Sequence, residues 1–523
     1  MEGIVDAVVL IVIAVVGAAL AQRLGFVAPL VLLVAGLGLS FVPGIPVIHI
    51  EPELVWVGIL PPLLYVAALQ TSVPAFRRAL RPILLLAVGL VIVTALAVGF
   101  AVHLMLPDVP LAACIALGAV VAPPDAVSAT AIARRIGLPR RIVTLLEGES
   151  LLNDATALVM VRVSVGALTG TAVGFWEISR SVAVTAGGGL LIGVAAAVTA
   201  AWLHRKIIDP LLDDALSLLT PFVVVIVAEE LGTSSIVAVV VTGLYLGHRI
   251  PYLLSATSRL QMEAVWRLVI FLLEGVVFLL VGLQLRGLAG DLETGLATTV
   301  QVTAVVFAVL VVVRFAWLYP ATYLARLVPR IRAREPWPPL TWPTVVAWAG
   351  MRGVVTLAAV LTFPPSTAVA GGYPRDLFVF VAFAIIVLTL LVQGATLPLV
   401  AGRLGVREDT TTTDALAEAG VQNQASRAAL AALEAHADGA PASVVDRLRA
   451  IAESRNNVAW ERLGSQEQET PSAAYRRLRH EMIQAERHVF KVARNEGRIP
   501  EEVLTRAQRV LDLEESQLNR SDE

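Results

Sequence analysis

Apolar runs of roughly 20 residues recur along the chain from its first residues to about residue 403, with short polar turns between them. A bilayer core about 30 Å thick takes about 20 helical residues to cross, and lipid offers no partner to free backbone groups. A chain of this pattern folds as a bundle of membrane-spanning helices. We place spans at about 4–22, 25–42, 52–70, 82–106, 110–133, 146–168, 181–203, 212–231, 234–248, 267–285, 299–325, 342–363 and 377–400, thirteen in all. The composition agrees, since 16% of residues are charged where soluble domains average about 25%.

Beyond residue 403, Arg and Glu are interspersed and the helical patterns turn amphipathic. The expected organisation is a transmembrane domain, 1–403, and a cytoplasmic helical tail, 404–523. The formal net charge of −2 hides an acidic tail, with 16 Lys+Arg against 21 Asp+Glu over 404–523. Nothing in this balance suggests nucleic-acid binding. The opening "MEGIVDAVVL" carries acids where a secretory signal is basic, so it reads as a retained first helix. Cys114 is alone, which excludes a disulfide within the chain.

Basic residues concentrate in cytoplasmic loops. The turns after odd-numbered spans carry Arg23; Arg77, Arg78 and Arg81; Arg134, Arg135, Arg140 and Arg141; Arg205 and Lys206; Arg249, Arg259 and Arg267; and Arg326, Arg330, Arg332 and Arg334. The turns after even-numbered spans hold Arg180, Arg286 and Arg375. Seventeen against three, without a break in the alternation, puts the N-terminus outside and the tail inside the cell membrane.

A charge at the bilayer centre costs on the order of 3 kcal/mol on insertion scales. Asp125, Glu149, Asp154, Arg162, Glu274, Arg314 and Arg352 therefore need a reason to be there. In "EGESLLNDATALVMV", residues 147–161, Asp154 falls about eight residues into the sixth span, about 12 Å at 1.5 Å per residue and near the midplane. So short a side chain cannot snorkel out. Glu149, about one turn from the cytoplasmic end, and Asn153 share a helix face, with Asp154 one step further round. The three are expected to line one wet cavity, while Glu147 stands at its mouth. Arg162 has no assigned role.

The fifth span carries "VVAPPDAVSATAIARR". Pro123 and Pro124 remove two backbone donors and break the helix, which membrane depth tolerates where the break lines a cavity or is buried in protein. The freed carbonyls, with Ser128 and Thr130, suit a dehydrated alkali cation, and Asp125 can compensate the positive end of the second half-helix. The twelfth span, "VVAWAGMRGVVTLAAVL", sets Gly350 and Gly353 around Arg352 and reads as a second interruption. Two interrupted helices, each second in a triplet of opposite starting side, mark the midplane site of an inverted-repeat transporter. Arg314 in the eleventh span needs an anion, which Glu149 or Glu274 supplies. Glu229 and Glu230 read as a solvated or funnel-lining pair at an outer helix end, and His103 as interfacial.

These stretches, with "LPPLLYVAAL" and "LLVQGATLPLV", resemble the monovalent cation:proton antiporter family that includes bacterial and eukaryotic sodium/proton exchangers. The resemblance implies a homodimer of all-α, thirteen-helix protomers with inverted repeats, in which the two interrupted helices cross within a mobile core. It implies that Asp154 binds Na⁺ or the proton, that Asn153 marks electroneutral exchange, and that Ser150 and backbone near Pro124 complete the cation's coordination. Glu149 then pairs with Arg314, and Arg352 and Asp125 stabilise the interrupted helices. The chain departs from the family at Pro124, where many relatives place Thr or Val, and at Glu274, where many carry a neutral polar residue.

The expected activity is secondary exchange of Na⁺ or Li⁺ for H⁺, electroneutral and without a cofactor, with K⁺/H⁺ exchange the alternative and a passive channel a weaker one. The chain is not expected to be an enzyme. "GESLL" lacks the second Gly of a nucleophile elbow, and "HEMIQ" lacks the second His of a zinc motif. In the tail, Val444, Val445, Leu448 and Ile451 read as a packed helix face, and "REDTTTTDALAEAG" as the linker before it. The tail's own ligand or regulator is not specified by its sequence.

Overall fold

The computed structural model describes residues 2–43, 53–168, 175–290, 292, 294–334, 337–365, 372–406, 410–437, 440–461 and 470–520. Every regular element among them is helical, and the chain divides into two compact units, Met1–Glu408 and Asp409–Glu523.

The first unit opens with α1 (Glu2–Leu24) and α2 (Ala28–Leu39). A π-helical segment, Leu54–Ile59, then leads into α3 (Leu60–Gln70). Next comes one continuous rod: α4 (Val73–Leu84), a π-turn (Leu85–Leu90) and α5 (Val91–Met105). The sequence reading placed Arg77, Arg78 and Arg81 in a turn, but Ser72 caps α4 through the Ala75 N–H and Pro74 follows at the helix start, so they are helical. A short α6 (Leu111–Val121) and α7 (Ala126–Arg135) come next, then α8 (Arg140–Leu168) and α9 (Phe175–His204). Asp209, Ser234 and Ser255 cap α10 (Pro210–Glu230), α11 (Ser235–Leu253) and α12 (Ala256–Leu283) respectively. The unit closes with α13 (Leu285–Gly290), α14 (Leu296–Tyr323), α15 (Pro329–Arg334), α16 (Thr341–Trp348), α17 (Val354–Leu361), α18 (Arg375–Leu388) and α19 (Ala395–Arg403), the last two joined by a π-turn, Thr389–Gly394.

Among the described residues, eight helices are long and apolar enough to cross a membrane, and four shorter apolar helices accompany them. The protein is a multi-pass membrane protein. Both interruptions lie where the sequence puts them, between α6 and α7 and between α16 and α17. The sixth expected span starts earlier than its apolar composition suggests, at Arg140. Asp154 therefore sits about 21 Å along a 29-residue helix, at its middle, and Glu149 lies more than two turns from its start rather than one.

The second unit holds α20 (Thr410–His436), α21 (Ala442–Glu461), α22 (Pro471–Asn495) and α23 (Glu501–Arg520). The stretch read as a linker is helical from Thr410, and residues 407–409 lie outside the described set. The expected packed face on α21 is also corrected: Val444, Leu448 and Ile451 are exposed. The polar face makes the contact instead, with Asn423 bonded to Asn456 and the Ser426 hydroxyl donating to the Ala452 carbonyl. The apolar spacing is present, but none of the described residues of the unit covers it.

Candidate functional site

The two interruptions close on one another by exchanging hydrogen bonds. In an unbroken helix the Asp125 N–H would donate to the Val121 carbonyl. Instead it donates to the Met351 carbonyl at 2.7 Å, and the freed Val121 carbonyl accepts from Arg352 Nε at 2.6 Å. Arg352 is buried, and its Nη1 also donates to the Gly350 carbonyl. One guanidinium thus covers the negative ends of both half-helices α6 and α16. The positive ends are covered by Asp125, which caps α7 through the Val127 and Ser128 N–H groups at 3.2 and 3.1 Å and lies against Gly353, the residue before α17.

Neither glycine beside Arg352 has room for a side chain. A Cβ on Gly353 would come within 2.6 Å of the Asp125 carboxyl carbon, and one on Gly350 within 2.8 Å of the Arg314 side chain. Thr389 completes the junction by accepting the Arg352 N–H at 2.9 Å. Sequence reasoning missed Thr389, because one Thr in an apolar span carries no signal of what it touches.

The residues of "ESLLND" fan out in different directions. Arg314 donates to both Glu149 oxygens, at 2.5 and 2.8 Å, and to the Val346 carbonyl at 3.3 Å, all in buried surroundings. Asn153 donates through Nδ2 to the Pro124 carbonyl at 2.9 Å, a carbonyl left free because the Asp125 side chain has taken the Ser128 N–H. The expectation that Glu149, Asn153 and Asp154 line one cavity is therefore corrected: Glu149 and Asn153 turn to partners inside the protein, and only Asp154 reaches the cavity.

That cavity measures about 770 Å³. Asp154, Asp125, Ser150, Thr130 and Glu274 line it, and Arg134, Glu147, Arg259, Glu263 and Arg267 extend the lining to the basic ends of the helices. Glu147 is held there by Arg134 at 2.6 Å. Among the described residues, no hydrogen bond or ion pair reaches the Asp154 carboxylate, although it is only 4% exposed. Glu274, whose role the sequence left open, stands in the same wall. Pro124 is absent from the lining, so its carbonyl faces Asn153. Arg162 is exposed on α8, Glu229 and Glu230 are exposed on α10, and His103 bonds the Val109 carbonyl through Nδ1 at 2.9 Å.

A polytopic bundle with two interrupted helices closed on each other beside an acidic cavity has the architecture of a secondary transporter. A family model described as "Sodium/hydrogen exchanger, transmembrane" matches residues 10–402. The chain belongs to this family of cation/proton antiporters. It is 35% identical to an uncharacterized Na⁺/H⁺ exchanger of Mycobacterium tuberculosis, over 99% of this chain and 96% of that one. It is 32% identical to a sodium, potassium, lithium and rubidium/H⁺ antiporter of Bacillus pumilus, over 71% of this chain and 57% of that one. The fold is similar to that of the sodium proton antiporter MjNhaP1 from Methanocaldococcus jannaschii, with a TM-score of 0.60 and 17% identity, covering 77% of this chain and 99% of that one.

Proposed function

We propose that the protein exchanges Na⁺ or Li⁺ for H⁺ across the cell membrane, one for one, with Asp154 as the carrier group. The observation that carries this reading is the buried Asp154 carboxylate, facing a cavity with no protein cation bound to it among the described residues. A buried carboxylate without a partner is costly. A proton or a monovalent cation relieves that cost, and the two exclude each other at one group. If only the neutralised form moves, each cation carried one way is matched by a proton carried the other.

Ser150 supplies a hydroxyl beside Asp154, and Asp125 and Glu274 add negative charge that concentrates cations in the cavity. Asn153 is neutral and holds the Pro124 carbonyl, so the charge carried per cycle is set by Asp154 alone. Glu149–Arg314 and Arg352 hold the half-helices around this group. The protein needs no cofactor in this scheme, since Na⁺ and H⁺ are its substrates and their gradients its energy source.

The full reading has thirteen passes, the N-terminus outside, and a cavity open to the cytoplasm, where the basic turns gather. The protein works as a homodimer in this reading, with the tail as a cytoplasmic regulatory unit. K⁺/H⁺ exchange is the second reading, favoured by the cation range in the name of the Bacillus pumilus relative. Purified protein in proteoliposomes, with Na⁺, Li⁺ and K⁺ supplied in turn against an internal pH dye, tests both. Cation-driven proton flux should be electroneutral and absent in Asp154→Asn; vigorous flux in that variant sinks the assignment.

A further inference from the structure

The tail carries an apolar stripe that none of its described residues covers. Along α22, Tyr475, Leu478, Met482, Ala485, Val489 and Val492 recur at alternating intervals of three and four residues, the spacing of a coiled-coil seam. Tyr475, Leu478, Met482 and Val489 are each more than half exposed. The side of α22 that packs on α23 is a different one: Ile483 and Ala493 of α22 and Leu504 and Leu511 of α23 are buried, and Arg479 binds Glu514 at 2.6 Å. The seam reaches about 26 Å along the helix at 1.5 Å per residue. Polar side chains flank it, Arg479 and Glu486 on the α23 side and the exposed Glu481 and His488 on the other.

We propose that this seam pairs with the same seam of a second copy of the chain, the two α22 helices running antiparallel. The pattern is self-complementary in that direction. Aligned about the midpoint between Ile483 and Gln484, antiparallel helices set Tyr475 against Val492, Leu478 against Val489 and Met482 against Ala485, a larger side chain facing a smaller one in every layer. Parallel helices in register would stack Tyr475 on Tyr475 and leave a gap between two alanines at 485.

The flanking charges agree. Antiparallel pairing puts Glu481 beside His488 and Arg479 beside Glu486 of the second copy, whereas parallel pairing puts Glu481 beside Glu486, two like charges. The exposed Val444, Leu448 and Ile451 of α21 span about 11 Å and would cover less than half of the seam. The inference deepens the homodimer reading and rests on it. Two tails held by one membrane dimer meet at an effective concentration on the order of millimolar, where a seam this short suffices.

The test is oxidative cross-linking of the full-length chain in native membranes, with Cys114→Ala removing the native thiol. Leu478→Cys/Val489→Cys should run mostly as a covalent dimer on a denaturing gel, because each thiol faces its counterpart on the second copy. Either substitution alone should give several-fold less dimer, since like positions stand about 16 Å apart along antiparallel helices. Met482→Glu, added to the pair, should lower the dimer several-fold and leave the tail folded, since Met482 is exposed in the single chain. Efficient linking by Leu478→Cys alone indicates parallel helices and overturns the proposal. Linking of Leu448→Cys/Leu478→Cys in preference to the first pair gives the face to α21 and also overturns it. The mass of the detergent-purified wild type by light scattering separates the two readings. A dimer whose Leu478→Cys/Val489→Cys variant does not link sinks the seam alone, whereas a monomer sinks the homodimer and the seam with it. Transport is not the readout, so the outcome leaves the role of Asp154 untouched.

Discussion

The backbone N–H of Asp125 donates to the Met351 carbonyl at 2.7 Å, which makes each broken helix a partner of the other. Neither break is satisfied alone, because the Asp125 N–H finds its acceptor at Met351 and the freed Val121 carbonyl finds its donor at Arg352. The junction is a single cooperative unit, and its variants should behave accordingly.

Gly353→Ala places a methyl group 2.6 Å from the Asp125 carboxyl carbon. The Asp125 cap must shift, at a cost of about 1–3 kcal/mol for overpacking. Cation-driven proton flux in proteoliposomes should fall more than the melting temperature does, because the displaced carboxylate also lines the acidic cavity.

Thr389→Val removes the acceptor of the Arg352 N–H and keeps the shape of the side chain. A buried N–H left without a partner costs about 1–3 kcal/mol. The variant should melt a few degrees lower, and Thr389→Ser, which restores the acceptor, should recover most of that loss.

Arg314→Ala leaves Glu149 buried and unpaired, which costs about 3–5 kcal/mol. The double variant Glu149→Leu/Arg314→Met should be more stable than either single truncation, since no lone charge remains. Melting curves of the wild type, Glu149→Leu, Arg314→Met and the double variant form a cycle, and additive losses would show that the 2.5 Å contact contributes no coupling.

Glu274→Gln removes one negative charge from the wall shared with Asp154. Exchange should persist with the apparent affinity for Na⁺ weakened by several-fold, read from the Na⁺ dependence of proton flux. Complete loss of exchange would instead make Glu274 a second carrier group.

In the tail, a hydrogen bond from Arg479 at 2.6 Å holds the Glu514 carboxylate below its ordinary value of 4.5. A depressed value means the contact contributes at pH above about 4.5 and is lost as pH falls through the lower folded value. Between pH 5 and 8 the α22–α23 pair should show no change from this group. Glu514→Gln imitates the acid state, and hydrogen exchange of the full-length protein at neutral pH should show several-fold faster exchange in those two helices.

The sequence by itself determined the class of fold and the positions of its breaks. Apolar length, the paired prolines and the glycines around Arg352 act locally, through backbone hydrogen bonds that lipid cannot replace. The same local reasoning found Asp154, because a charge at membrane depth has a cost wherever its neighbours lie. It placed the start of α8 too late, because apolar composition ends where the bilayer does, while the helix itself continues to Arg140. The tertiary structure alone decided which way each polar group points. Glu149 and Asn153 stand four residues apart on one helix, yet one turns to Arg314 and the other to Pro124. Only Asp154 was left facing the cavity. That choice is made by partners on α14 and at the α6–α7 break, 165 and 29 residues away along the chain. Long-range pairing of buried charges has no period in the sequence, so only the packed bundle fixes it.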